Sequence, residues 1–171
     1  MKRDENVMLT AALGYAKLGW RVFPLLALSD SGDCECGPDC DRPGKHPAIK
    51  RWPIEATTDP EKITAWWTEN PARGIGIATG EESDLTVLDV DGEEGVAELA
   101  KLAGPEGMPI TPTVQSRPGH LHYYFRFKAG VKSSAKKLGA HLDTRSEGGY
   151  VVAPPSRHAS GSEYTWLIAP K

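Results

Sequence analysis

The sequence predicts one mixed domain in which helices pack on an antiparallel sheet, and three observations carry that expectation. The chain has 171 residues, 39% of them hydrophobic and 25% charged, which is ordinary for a soluble globular protein and large enough for one core. Residues 111–116 and 121–127 read as strands separated by a tight Arg117-Pro118-Gly119 turn, which makes them an antiparallel hairpin. Two other stretches carry apolar side chains at the 3.6-residue spacing of a helix.

The elements follow in order. Residues 7–18 form a helix with Met8, Ala11, Ala12, Tyr15 and Leu18 on one stripe, stopped by Gly19. Residues 20–28 are a buried strand carrying Val22, Phe23 and Leu25. Thr58-Asp59-Pro60-Glu61 announces a second helix, with a capping residue and then proline in the first turn. It runs to about Asn70, and its stripe is Ile63, Trp66 and Trp67, a core signature rather than a base-stacking platform. A short strand at 74–79 leads to residues 85–92, followed by a helix over 92–102. In the hairpin, Leu121, Tyr123, Phe125 and Phe127 alternate with His120, His122, Tyr124 and Arg126, so the first set faces the core and His122 and Arg126 the other side. Residues 128–138 read as basic and flexible, 141–145 and 150–153 as strands, and 163–168 as a last short strand. No internal repeat or linker divides the chain, so residues 1–171 are expected to form a single domain.

Chemistry concentrates first in residues 85–92, Leu-Thr-Val-Leu-Asp-Val-Asp-Gly. Asp89 and Asp91 share one face of the strand, about 6.6 Å apart along it. That spacing lets two carboxylates grip a hard cation, which Mg²⁺ accepts together with waters and substrate phosphates. His122 with Arg126, and Asp143 with Arg145, present ionisable groups on one strand face in the same way. Gathered on the open face of a sheet, three aspartates, a histidine and basic residues suit metal-assisted phosphoryl transfer. Imidazole and guanidinium would then hold phosphates.

A second constellation lies in the loop 32–47. All three cysteines fall there, as Cys34-Glu-Cys36-Gly-Pro-Asp-Cys40, with His46 following. Three thiolates and an imidazole make a closed tetrahedral set for structural Zn²⁺, and Gly32, Gly37, Pro38, Pro43 and Gly44 supply its turns. An odd number of cysteines fits a disulfide framework poorly.

Charge is segregated. Residues 81–98 carry eight acidic side chains and no Lys or Arg, whereas 126–145 carry six basic ones and a single acid, Asp143. The net charge of −3 argues against a generally basic nucleic-acid coat, but the two poles suit metal beside phosphate. No apolar run approaches the roughly 20 residues needed to span a bilayer, and the charged residues 1–6 do not lead into a signal-peptide core. A cytoplasmic protein without membrane association is expected.

Taken together, these motifs resemble the archaeo-eukaryotic primase superfamily, specifically the bifunctional prim-pol catalytic domains of phages, plasmids and integrated elements. The likeness rests on Val87-Leu-Asp89-Val-Asp91, on Ser116-Arg-Pro-Gly119-His-Leu-His122-Tyr-Tyr-Phe125, and on Leu142-Asp143 ahead of Gly148-Gly149-Tyr150 and Pro154-Pro155-Ser156. Gly44-Lys45-His46-Pro47, Trp52 and the Trp66-Trp67 helix resemble the N-terminal half of these proteins. The resemblance implies an α+β fold: an RRM-like antiparallel catalytic sheet packed with a small N-terminal α/β lobe, here with a zinc-knuckle-like loop.

It further implies that Asp89, Asp91 and Asp143 bind catalytic Mg²⁺ or Mn²⁺, and that Ser116 and His122 contact nucleotide phosphates. Arg126 and Arg145 are expected to join them as nucleotide-binding residues, with Cys34, Cys36, Cys40 and His46 holding structural Zn²⁺. The usual second glycine of the histidine motif is His120 here, so His120 and His122 both compete for that role; His122 is preferred because Tyr-Tyr-Phe follows it directly. The implied activity is template-directed transfer of a nucleotide from a (d)NTP to a 3′-hydroxyl, with primer and single-stranded DNA template as partners. Larger relatives add a helical domain and a helicase, which would be supplied elsewhere. Two other readings of the residues remain open: an Asp-x-Asp glycosyltransferase acting on nucleotide-sugars, and a non-catalytic RRM-like nucleic-acid module.

Overall fold

The computed structural model describes residues 6–171, so the charged N-terminal stretch falls outside it apart from Asn6. The first half contains α1 (Val7–Lys17), β1 (Val22–Leu25), α2 (Trp52–Glu55), α3 (Pro60–Glu69), β2 (Gly74–Ala78), β3 (Thr86–Val90) and α4 (Gly92–Ala103). The second half is β4 (Thr113–Arg117), β5 (His120–Phe125), β6 (Ser134–Gly139), β7 (Leu142–Arg145), β8 (Tyr150–Ala153) and β9 (Thr165–Ile168). The result is a mixed α+β architecture of two antiparallel sheets and few helices.

The helices form where their signals stand. The Asn6 side chain accepts from Leu9 N at 3.0 Å to cap α1, and the chain leaves that helix through Gly19 at φ 85°. Asp59 accepts from Glu61 N at 2.9 Å and Pro60 opens α3. Ala12 and Tyr15 from α1, and Ile63 and Trp67 from α3, bury their apolar faces, whereas Trp66 is only partly buried beneath the Lys62 ammonium. The short α2 was not foreseen.

A three-stranded sheet, β1-β2-β8, forms the first layer. Every residue of β1 and β2 is buried, as befits strands covered on both faces. Gly76 in β2 sits opposite Phe23, and a Cβ there would lie 2.5 Å from the Phe23 ring, so only glycine leaves space for the aromatic. The Pro154-Pro155-Ser156 segment stitches this layer together: the Tyr15 hydroxyl donates to Pro154 O at 2.6 Å, and Ser156 Oγ accepts from Ile75 N at 2.8 Å.

The second sheet has six strands in the order β6-β7-β3-β5-β4-β9, all paired antiparallel. Alternation gives it two faces. Leu88, Val90, Leu121, Tyr123, Phe125 and Leu142 pack with Leu99 of α4. Val87, Val114 and Tyr124 join the other core, with α1, α3 and the first sheet. Here the structure corrects the sequence reading. The face holding His122 was expected to be open; instead the first layer covers part of it, burying Tyr124 and His122 at 2% and 7% exposure. The segment read as flexible contains β6, a lysine-bearing edge strand whose pairing with β7 is irregular.

Candidate active site

Three strands bring the site together. Asp89 in β3 is directly opposite His122 of β5 on one side and Asp143 of β7 on the other. Cross-strand partners point to the same face, with Cα atoms only about 4.5–5.5 Å apart, so this register places two carboxylates and an imidazole in a row across the sheet. His122 Nε2 lies 3.3 Å from Asp89 Oδ1, and its Nδ1 is buried with no hydrogen-bond partner among the described residues. Burial pushes the Asp89 carboxyl up, but the hydrogen bond and charge of His122 outweigh it, with Arg145 and Lys45 adding to the attraction. The net effect holds the carboxyl below its ordinary range.

Asp91 lies one residue past β3, at the mouth of α4, where its side chain caps nothing. It faces His120 instead, Oδ1 to Nδ1 at 3.1 Å, and the same ring nitrogen is 3.4 Å from the Arg117 guanidinium. The two candidate histidines therefore divide between the two aspartates: His122 is buried against Asp89, and His120 sits at the turn end against Asp91.

Asp143 has both oxygens engaged. Oδ1 accepts from the Lys136 backbone N–H at 2.9 Å, and Oδ2 from the Arg145 guanidinium at 3.0 Å. Lys136 reaches it through a left-handed backbone, φ 56°. Ser116 is buried near the end of β4, two residues beyond the Val114 that opposes His122. Arg126 does not join these groups. It extends past the opposite end of β5, about 13 Å along the strand from His122, and its side chain is 92% exposed beside Asp84.

Asp89 and His122 open into a cleft of about 280 Å³ between the two sheets, with Asp143 and Asp91 outside its lining. Asp89, His122 and Arg145 line one wall; Trp52, Tyr150 and the Gly148-Gly149 turn line another, and Tyr164 packs its ring 5.9 Å from His122. Arg42 and Lys45 enter it from the cysteine loop. Sequence reading missed Arg42, Ser133 and Tyr164 altogether; Lys45 was visible only within the Gly-Lys-His-Pro segment, and the loop's isolated basic residues were the one signal for Arg42.

Among the described residues, the groups with three ligating atoms within 4.8 Å of one another are Cys34/Cys36/Cys40 and Cys40/Asp41/His46. The three aspartates do not converge that tightly, since each is turned toward its own donor. In the loop, the Cys36 thiol donates to Cys34 Sγ at 2.8 Å, and Cys34, Cys36 and Cys40 are all free. Burial raises the Cys34 thiol, but hydrogen bonds from Cys36, Gly44 and Cys40 win and lower it, whereas the hydrogen bonds of Cys36 to Cys34 and Cys40 push Cys36 up to about 12. His46 approaches the cluster only at Cys40, and its Nε2 is bonded to Asp41 Oδ1 at 2.9 Å.

The donors present fit the groups the sequence implied. Hard carboxylate oxygens on facing strands suit Mg²⁺ or Mn²⁺, and clustered thiols suit a softer ion such as Zn²⁺. Carboxylates flanked by imidazole and guanidinium in a cleft are the chemistry of a metal-dependent nucleotidyltransferase. Residues 12–171 match the family model Prim-Pol, described as bifunctional DNA primase/polymerase, N-terminal, and the chain belongs to that family. Its activity is that of a DNA primase/polymerase acting on DNA and nucleotides. No curated protein matches the chain. Among the described residues, no helix is long and apolar enough to cross a membrane.

Proposed function

We propose that residues 1–171 act as one catalytic domain that transfers a nucleotide from a (d)NTP to a primer 3′-hydroxyl on single-stranded DNA. In this reading Asp89, Asp91 and Asp143 hold the divalent cations. The observation that carries it is the in-register row Asp143–Asp89–His122 across three neighbouring strands. Carboxylates at directly opposed strand positions repel, and here each is held by a donor of its own, His122 for Asp89 and Arg145 for Asp143, an arrangement that gains its use when a cation binds between them. Bound ions would neutralise the carboxylates and polarise the α-phosphate and the attacking hydroxyl.

The chain's own residues do the rest. His122 lines the cleft beside Asp89, where its Nε2 edge would contact a phosphate oxygen, and Ser116 supports the same end of the sheet. Arg145, half-exposed beside Asp143, supplies a planar cation for the triphosphate tail. The exposed lysines of β6, on the edge strand beside these groups, would track template phosphates. Cys34, Cys36 and Cys40, with His46 brought in as fourth ligand, would hold a structural Zn²⁺. An aromatic-faced RNA-binding sheet is disfavoured, since this face presents acids at its open end and buries Tyr124.

The test is primer extension on a single-stranded template, comparing wild type with Asp89→Ala and Asp91→Ala. Loss of extension in both supports the assignment, and extension at wild-type rate in either defeats it. Running nucleotide-sugars beside (d)NTPs in the same assay separates nucleotidyl from glycosyl transfer.

A further inference from the structure

The cysteine loop sits directly beside the catalytic cleft. We propose that it is a metal-fastened arm that delivers Arg42 and Lys45 to the cleft as anion-binding residues for the triphosphate, which rests on the nucleotidyltransferase reading above. Both ends of the loop are tied to the chain around β1. Glu35 N donates to Ala27 O at 2.9 Å and Leu26 N to His46 O at 2.8 Å, with Ala48 N reaching Pro24 O at 2.9 Å.

Between those ties the fastening is different in kind. Residues 36–43 are exposed or half-exposed, and the backbone hydrogen bonds there close local turns: Gly37 N to Cys34 O at 2.9 Å and Lys45 N to Arg42 O at 3.1 Å. A segment with so little buried apolar surface gains its order from another source. The three thiols, drawn to within 4.8 Å of one another, are that source when a thiophilic cation joins them.

The position of the two cations within the loop gives the arm its purpose. Arg42 and Lys45 lie in the stretch bounded by Cys40 and His46, so a metal gripping those residues fixes it at both ends. The Lys45 carbonyl accepts from the Tyr150 hydroxyl at 2.6 Å, which docks the arm on β8 at the cleft wall. Arg42 and Lys45 then line the same cleft as Asp89, His122 and Arg145. Asp89 is the one carboxylate lining the cleft against Arg42, Lys45 and Arg145, while Asp41 and Asp143 flank the two arginines from outside it, and this cationic lining suits a polyanion.

The experiment measures metal and ligand separately, without catalysis. Zinc content is determined on the purified full chain by elemental analysis, and binding of inorganic tripolyphosphate and of a nucleoside triphosphate by calorimetry. The wild type should hold about one zinc per chain. Arg42→Ala and Lys45→Ala should keep the zinc and each weaken both ligands roughly tenfold, the loss expected for a charge-assisted contact. Cys40→Ser should lose the zinc and weaken binding as much as the Arg42→Ala/Lys45→Ala pair, with no further loss when all three are combined. Chelation and re-addition of Zn²⁺ to the wild type should reproduce that loss and its recovery, which covers the case in which Cys40→Ser fails to fold. Unchanged affinity in the Arg42→Ala/Lys45→Ala pair, or unchanged affinity after zinc removal, overturns the proposal, as does a zinc-free wild type. A chain that binds triphosphate in this zinc-dependent way yet extends no primer would overturn the catalytic reading and leave the arm standing.

Discussion

The Asp89–His122 pair allows the register of β3 and β5 to be weighed as an energy. Isosteric Asp89→Asn and similarly sized His122→Leu, with the double variant, form a cycle on groups that lie 3.3 Å apart with side chains 23% and 9% exposed. Partial burial strengthens the hydrogen bond that the imidazole gives the carboxylate while desolvation opposes it, so the net coupling should approach that of a hydrogen bond to a charged group, about 1.5–3 kcal/mol. Urea unfolding near pH 6 with chelator present reads the coupling directly. The carboxyl is held below its ordinary value of 3.8, so this stabilisation is present above that pH and drains away as pH falls through the lower folded-state value. The cycle should therefore close toward zero in strong acid. A coupling under about 0.5 kcal/mol at pH 6 would refute a paired Asp89 and His122.

Three further outcomes are expected. Gly76→Ala places a Cβ 2.5 Å from the Phe23 ring, which is fully buried and stacked 4.9 Å from Trp52 at the cleft, so it should cost about 1–3 kcal/mol in thermal unfolding and also weaken nucleotide binding. Burial raises the Tyr15 hydroxyl from 10.0 to about 12, so the folded state keeps that stabilisation below pH 10 and loses it as pH climbs toward 12. Denaturation at alkaline pH should therefore be shallower in Tyr15→Phe than in wild type, the wild type losing about 3 kcal/mol across that range. Lys136→Ala/Lys137→Ala should lower single-stranded DNA affinity and reduce the salt slope by about 1.4, while an unchanged slope removes β6 from the template path.

Local chemistry was readable from the chain, and long-range assembly was not. Capping at Asp59, the Gly19 stop and the Tyr150–Ala153 strand depend on neighbours in sequence, and they form where their signals stand. The alternation in β5 separated Leu121, Tyr123 and Phe125 from His122 and Tyr124 correctly, but period alone cannot tell a covered face from an open one. Only the docking of the first sheet decides that, and its strands come from three distant segments. The row Asp143–Asp89–His122 is likewise a matter of register between strands far apart in sequence. Arg126 illustrates the converse: it shares a face with His122, yet position along the strand carries it away from the cleft. The cysteine loop was legible as a ligand set, but the turn of His46 toward Asp41 and the reach of Arg42 into the cleft follow from tertiary placement.

Non-additivity in catalysis tests most directly whether the carboxylates of β3 and β7 work as one device. Single-turnover primer extension by Asp89→Asn, Asp143→Asn and the double variant should show each single change lowering the rate by roughly a thousandfold or more, with the pair losing little beyond either alone. Losses that multiply, or a single variant that extends primers at the wild-type rate, would contradict a shared site.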